Sequence, residues 1–373
     1  MTEWKEYKLG ELIETNAKSI GKDYPYSKIL YLDTSSITCN SIDSFQEFEL
    51  EKAPSRAKRL VKQDDIIYSS VRPNQLHYGY ITNPQDNLVV STGFVTITCN
   101  KDLLCPKFLY YYLIQSQITE YLHSVAEAST SAYPSLKPSD IEALDIEIPP
   151  LDVQRRIAAI LSSLDDKIDL LHRENATLEQ MAETLFRQWF VVEAKEEWKE
   201  VALEDVAILN AGGDKPKAFS QNRTNEFNVP IYSNGIENDG LYGYADCPRI
   251  IEESVTISAR GTIGYVALRT EPFVPIVRLI TMRPKEMVTS KFLYYWAKSQ
   301  NINGTGTTQQ QLTVPDFKQT KLFLPTKELI VSFTHLVNRY FDKILLNNKQ
   351  IQTLIQMRDG MLPKLMSNEI KLI

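Results

Sequence analysis

Pro149-Pro150-Leu151-Asp152-Val153-Gln154-Arg155-Arg156-Ile157-Ala158 opens a run in which Ile157, Leu161, Leu164, Ile168, Leu171, Asn175, Leu178, Ala182, Leu185 and Trp189 follow at alternating steps of four and three. That spacing lays one residue per turn along a narrow stripe, the seam of a coiled coil, and so predicts a long helix. Proline suits its first turn because the missing N–H needs no partner there, and Asp152 sits favourably at the positive end of the helix dipole. The run is not alone. Residues 136–186 match residues 312–362 without a gap at a shift of 176, with eleven identities in 51 positions. In the second copy Phe333, Val337, Tyr340, Ile344, Asn347, Ile351, Leu354, Arg358 and Met361 keep the same steps, with Arg358 a blemish in the stripe.

Working outward, Trp4-Lys5-Glu6 returns as Trp198-Lys199-Glu200, and Lys107-Phe108-Leu109-Tyr110-Tyr111 returns as Lys291-Phe292-Leu293-Tyr294-Tyr295. The chain therefore reads as a tandem duplication of an α/β domain followed by a long helix. The expected class is α+β, with domains over 1–145 and 196–322 and helical spacers over 146–195 and 323–373. The shift between copies falls from 194 to 184 to 176, so the first globular half is the longer and the copies differ mainly in loops. Each seam carries one asparagine, Asn175 and Asn347. Set antiparallel with these two facing, the helices match apolar layers such as Leu171 with Ile351 and Leu178 with Ile344. An asparagine pair of this kind fixes register at a cost in stability. The bland alternative is that each helix covers only its own domain.

The chain has 373 residues, 24% of them charged, and a formal net charge of −6. No run of 18 apolar residues is present and the N-terminus has no signal-peptide pattern, so a cytoplasmic protein is expected. Cys39, Cys99, Cys105 and Cys247 have no zinc-ligand or paired spacing, and His77, His123, His172 and His335 are scattered. Phosphate-cradling, dinucleotide and hydrolase motifs are missing, which leaves no visible catalytic constellation and no expected cofactor or metal. The acidic total weighs against nucleic acid. It conceals contrast, however: the net charge is −3 over 1–140, −5 over 141–195, −2 over 196–320 and +4 over 321–373. Lys52, Arg56, Lys58, Arg59 and Lys62 also fall within eleven residues, as a basic face or as a solvated surface run.

Two arginines occupy related places. Arg72 follows a strand predicted over 65–71 and leads into Pro73-Asn74-Gln75, while Arg260 follows one over 255–259 and leads into Gly261-Thr262-Ile263-Gly264. Arginine can grip guanine O6 and N7 with two parallel hydrogen bonds, and Asn or Gln can do the same for adenine. Phosphate contact or an ordinary surface ion pair is the competing use. The small polar stretches 129–133 and 305–310 precede the repeated leucines Leu136 and Leu312 and could approach DNA closely, or could be plain solvated turns. Arg72, Asn74, Gln75, Ser131, Arg260, Thr262, Thr308 and Gln309 are the residues of these stretches singled out as candidate DNA contacts, on the DNA-reading role that a family resemblance of the whole chain implies.

The order of two variable domains, each followed by a long helix, resembles the specificity subunit of type I restriction-modification systems across essentially the whole chain. The marks are residues 149–158, similar to the family's signature at the opening of the first central helix, together with 65–73, Ser91-Thr92-Gly93-Phe94 and Gly304-Thr305-Gly306-Thr307-Thr308-Gln309. In the second copy Ile330 stands at the equivalent of Gln154. The resemblance implies a non-catalytic subunit whose two domains each read half of a split, asymmetric double-stranded DNA site. It further implies two modification (methyltransferase) subunits and two restriction (endonuclease and translocase) subunits as partners. A stand-alone DNA-binding regulator and a coiled-coil adaptor are the two other classes the residues admit.

Overall fold

The computed structural model describes residues 4–128, 135–302 and 311–370. Two compact units divide the chain: residues 1–170 with 350–373, and residues 171–349. The two long helices, Leu151–Arg187 and Lys327–Met366, each contribute to both units. None of the predicted seam positions is exposed. No described helix is long and apolar enough to cross a membrane.

In the first unit, strand Lys5–Lys8 pairs antiparallel with Asp145–Ile148 and so ties the start of the globular segment to its end. Between them lies an antiparallel sheet in the order Ile13–Thr15, Phe94–Cys99, Ile66–Ser69, Tyr78–Tyr80. Ile66-Ile67-Tyr68-Ser69 is buried at every position, as β-branched and aromatic residues in a central strand require. A second sheet runs Gln46–Glu49, Lys28–Leu32, Leu88–Ser91, Ala57–Leu60, with Leu88–Ser91 parallel to Lys28–Leu32. Pro106 starts a helix to Leu113 that buries Phe108, Leu109, Tyr110 and Tyr111 in one core with Leu9, Ile157, Leu161, Leu362 and Leu365. The basic run lies along and beside the Ala57–Leu60 strand, with Lys52, Arg56, Lys58 and Lys62 exposed.

The second unit repeats this plan with fewer parts. Lys199–Ala202 pairs with Lys321–Leu324, and the main sheet runs Ala207–Ala211, Ile280–Pro284, Ser254–Ile257, Val266–Arg269, again antiparallel throughout. Its smaller sheet has three strands, Leu241–Ala245, Val229–Tyr232 and Val274–Pro275, and the last pair is parallel as in the first unit. Helix Ser290–Ser299 takes the place of Pro106–Leu113, capped by the Thr289 hydroxyl accepting from Phe292 N. Ala57–Leu60 and helix Ser116–Glu127 have no counterpart among the described residues, which accounts for the falling shift between copies. Duplication thus extends from residue identities to strand order and direction.

Candidate nucleic-acid interface

In each unit the buried central strand of the main sheet stops, and three residues later an arginine stands in solvent. The strands are slightly shorter than the sequence suggests, Ile66–Ser69 and Ser254–Ile257. In the first unit the exit is pinned from both sides. Ser70 N and Oγ donate to Gly93 O at 2.8 and 2.9 Å, and Leu136 N donates to Ser70 O at 2.7 Å. Val71 also bridges Ser135. Arg72 then takes a left-handed backbone (φ 47, ψ 68), and Pro73 starts a single turn to Gln75 that ends on Leu76, left-handed as well. Arg72, Asn74 and Gln75 are exposed on that turn, and the Arg72 side chain makes no hydrogen bond or ion pair with any described residue.

The second unit builds the same exit by other means. Ser258 N donates to Tyr265 O at 2.9 Å and Gly264 N to Ser258 O at 3.0 Å, which folds 258–265 into a tight turn. Gly261 and Gly264 both have positive φ, and a Cβ on Gly264 would lie 2.8 Å from Ile302 O, so glycine is required there. Leu312 N donates to Ala259 O at 3.0 Å. Arg260 donates from Nε and Nη2 to one oxygen, Gln311 Oε1, at 3.0 and 2.7 Å. Thr262 is exposed on the same turn.

The structure therefore groups Arg72, Asn74 and Gln75 in one unit and Arg260 and Thr262 in the other, each group beside a repeated leucine, Leu136 or Leu312, and the residue before it. Ser131, Thr308 and Gln309 lie outside the described residues.

Three contributors escape sequence reasoning. Gln311 follows the expected polar stretch and holds Arg260. Asn234 accepts from Ala259 N and donates to Val277 O, both at 2.7 Å, tying the loop after Tyr232 to the arginine turn. The Asn234-Gly235 dipeptide was the available signal, since it marks a turn. Arg269 is buried, lies 3.6 Å over the Tyr232 ring, and donates to Thr256 Oγ1 at 3.0 Å and Asp239 O at 2.6 Å. Burial lowers its pKa, against the opposing influence of Tyr232 and Asp239. No local pattern distinguishes such an arginine from an exposed one.

The two asparagines meet inside the second unit. Asn347 Nδ2 donates to Asn175 Oδ1 at 2.8 Å and to Glu174 Oε2 at 3.0 Å, and Asn175 Nδ2 donates to Asn348 Oδ1 at 2.8 Å. Asn347 is completely buried. In the first unit the apparent blemish Arg358 pairs with Asp165 at 2.9 Å, and Asp165 also accepts from Tyr111 OH at 2.7 Å. These carboxylate bonds raise the arginine pKa against the opposing effect of burial. Among the described residues no group of three or more His, Cys, Asp or Glu side chains could hold a metal ion.

Residues 1–180 and 195–356 each match the family model described as type I restriction modification DNA specificity domain. The specificity subunit of the type I restriction enzyme HindI of Haemophilus influenzae is 25% identical over an alignment of 463 positions, spanning 99% of this chain and 100% of that protein. The MjaIX specificity subunit of Methanocaldococcus jannaschii is 26% identical over 348 positions, covering 84% of this chain and 79% of that one. Among solved structures, the type I restriction-modification S subunit from M. genitalium has the same fold, with a TM-score of 0.60 at 16% identity over 100% of this chain and 97% of that chain.

Proposed function

The chain belongs to the type I restriction-modification DNA specificity family, as a non-catalytic specificity subunit that recognises DNA, and we propose that its two units each read one half of a bipartite, asymmetric site. The observation that carries this reading is the duplicated strand exit. Each unit presents an exposed arginine three residues past a fully buried strand, so a rigid sheet fixes the point of the backbone from which the guanidinium reaches, and in the second unit Gln311 also orients the guanidinium itself. Rigid placement is what a two-pronged contact to guanine needs, and it contributes roughly 1–3 kcal/mol of discrimination against a wrong base. Asn74, Gln75 and Thr262 stand beside these arginines with hydrogen-bonding groups of the right kind for neighbouring base edges.

The two long helices pair, in this reading, as an antiparallel coiled coil that sets the gap between half-sites. Support comes from the Asn347–Asn175 bond, the Arg358–Asp165 ion pair and the absence of exposed seam positions. Apolar side chains off the seam, including Leu345 and Leu346 at 57% and 59% exposure, offer docking surface for two modification subunits. Two restriction subunits complete the assembly. Because the chain is acidic overall, strong site-specific binding is expected only in the complex with modification subunits.

The test is to purify the chain with its modification subunits and sequence the methylated DNA they produce. A split asymmetric sequence supports the reading, and a continuous or palindromic one overturns it. Adding one heptad between Leu171 and Asn175, and a matching one between Asn347 and Ile351, lengthens the helices by about 10 Å. The unread gap then widens by about three base pairs while the half-sites stay unchanged. An active variant with an unaltered gap removes the helices from any role in spacing.

A further inference from the structure

Val277 and Arg278 are consecutive non-glycine residues with left-handed backbones, φ 53 and 59. The conformation crowds any Cβ, and a β-branched residue most of all. It persists where surrounding bonds over-determine it, and such strain concentrates at ligand-binding positions. Here Val277 N donates to Gly213 O at 2.9 Å, Arg278 N to Gly212 O at 3.0 Å, Leu279 N to Ile276 O at 3.0 Å and Asn234 Nδ2 to Val277 O at 2.7 Å. The backbone of Gly212 lies so close that a Cβ on it would sit 2.8 Å from Ile276 N. The turn is therefore clamped, and Asn234 clamps it to the same loop that holds the Arg260 turn.

What the clamp presents is Arg278. Its side chain is exposed and makes no hydrogen bond or ion pair with any described residue. It lines an open cleft of about 490 Å³ together with Gly212, Gln311, Leu312 and Pro315, and none of the described lining residues is acidic. Gln311 is also the acceptor that orients Arg260, so one side chain borders both arginines. The first unit has Ser91-Thr92-Gly93 in the turn before the equivalent strand Phe94–Cys99, and hence no arginine there.

We propose that Arg278 is a second specificity-determining arginine of this unit, donating both arms of its guanidinium to a guanine edge in the half-site that Arg260 helps to read. The inference rests on the half-site reading given above. A phosphate contact needs only positive charge and tolerates a mobile side chain. A backbone held in strain serves a contact whose direction matters, and the bidentate grip on guanine is such a contact.

The experiment compares Arg278→Ala, Arg278→Lys, Arg260→Ala and Arg72→Ala in the complex with modification subunits, by sequencing methylated DNA and by binding to duplexes randomised at each half-site position. Both Arg278 variants are expected to lose roughly 5- to 150-fold of the preference at one guanine in the second half-site, leaving the first half-site untouched. Retained specificity in Arg278→Lys, with Arg278→Ala weaker on all duplexes alike, overturns the proposal in favour of a phosphate contact. Unchanged specificity in both variants also overturns it. If Arg72→Ala and Arg260→Ala alter separate half-sites while Arg278 variants alter neither, this inference alone fails. If none of the four changes the recognised sequence, the half-site reading fails with it.

Discussion

Where the two long helices begin, the first unit uses a buried amide and the second uses a hydrocarbon. Gln154, 1% exposed, accepts from Cys105 N at 2.8 Å and donates to Leu103 O at 3.0 Å and Pro149 O at 2.8 Å, fastening the loop before Pro106 to the helix start. At the equivalent place Ile330 is completely buried in the second core, and the fastening passes to Thr289, whose hydroxyl bonds the Thr334 hydroxyl at 2.7 Å. The strand exits diverge in the same manner. Arg72 is itself left-handed and unbonded through its side chain, whereas Arg260 is tethered to Gln311, with left-handed backbone displaced to Gly261 and to Val277-Arg278. Duplication preserved the places and let the chemistry at each place change. A resemblance between copies therefore locates a site more safely than it assigns a role.

The largest effect expected follows from exchanging the two helix openings. Gln154→Ile removes the partner of the buried Pro149 carbonyl and of the part-buried Cys105 N–H and Leu103 carbonyl, a cost of about 3 kcal/mol at roughly 1–3 per unsatisfied group, the lower end applying where water reaches. Ile330→Gln buries an amide with no prepared partner and should cost about 2–3 kcal/mol. Urea unfolding followed by hydrogen exchange should place the first loss in the Ile66–Ser69 sheet and the second in the Ser254–Ile257 sheet. A Gln154→Ile variant as stable as the parent removes the brace from the account.

Next in size is the separation of the arginines. Arg72→Ala and Arg260→Ala should each forfeit roughly 1–3 kcal/mol of base discrimination, at different half-sites. The methylated-site profile of the assembled complex reads this directly. A uniform loss on every sequence assigns both side chains to phosphate. Gln311→Ala should act only on the second unit, and by less, about 1 kcal/mol, because it removes the orientation of Arg260 and leaves its charge. Equal effects of Gln311→Ala on both half-sites would contradict that division.

The difference in legibility has a physical origin. Seam residues, repeated leucines and strand-exit arginines are local in sequence and periodic, so helices, duplication and the positions of Arg72 and Arg260 could be read directly. The Asn175–Asn347 bond could be anticipated because each seam offers a single asparagine. Arg358 looked like a defect because its partner Asp165 lies one residue off the seam, where a stripe of core positions does not look. Gln311, Asn234 and the Val277-Arg278 turn depend on bonds between distant segments and on the sign of φ. Valine in particular gives no warning of a left-handed backbone, since its own preference opposes it.

The smallest effect tests that strain against a control of the same backbone class whose side chain is held by packing. Val277 is 48% exposed, so Val277→Gly removes little packing. Relief of the left-handed penalty, about 1–2 kcal/mol, exceeds the roughly 0.5–1 kcal/mol of extra chain entropy that glycine brings. A net gain of about 0.5–1 kcal/mol should appear as a raised urea midpoint. Leu76 in the first unit has φ 59 but packs against that unit's core. Leu76→Gly gains the same relief and loses about 1.5 kcal/mol or more of apolar burial, so its sign should be opposite. The stabilised Val277→Gly complex should also discriminate less sharply at the position assigned to Arg278, because a freer turn no longer fixes the direction of the guanidinium. Greater stability with unchanged discrimination would mean that the strain at Val277 has no part in recognition, and a lowered midpoint would mean that the strain is smaller than the chain entropy that glycine adds.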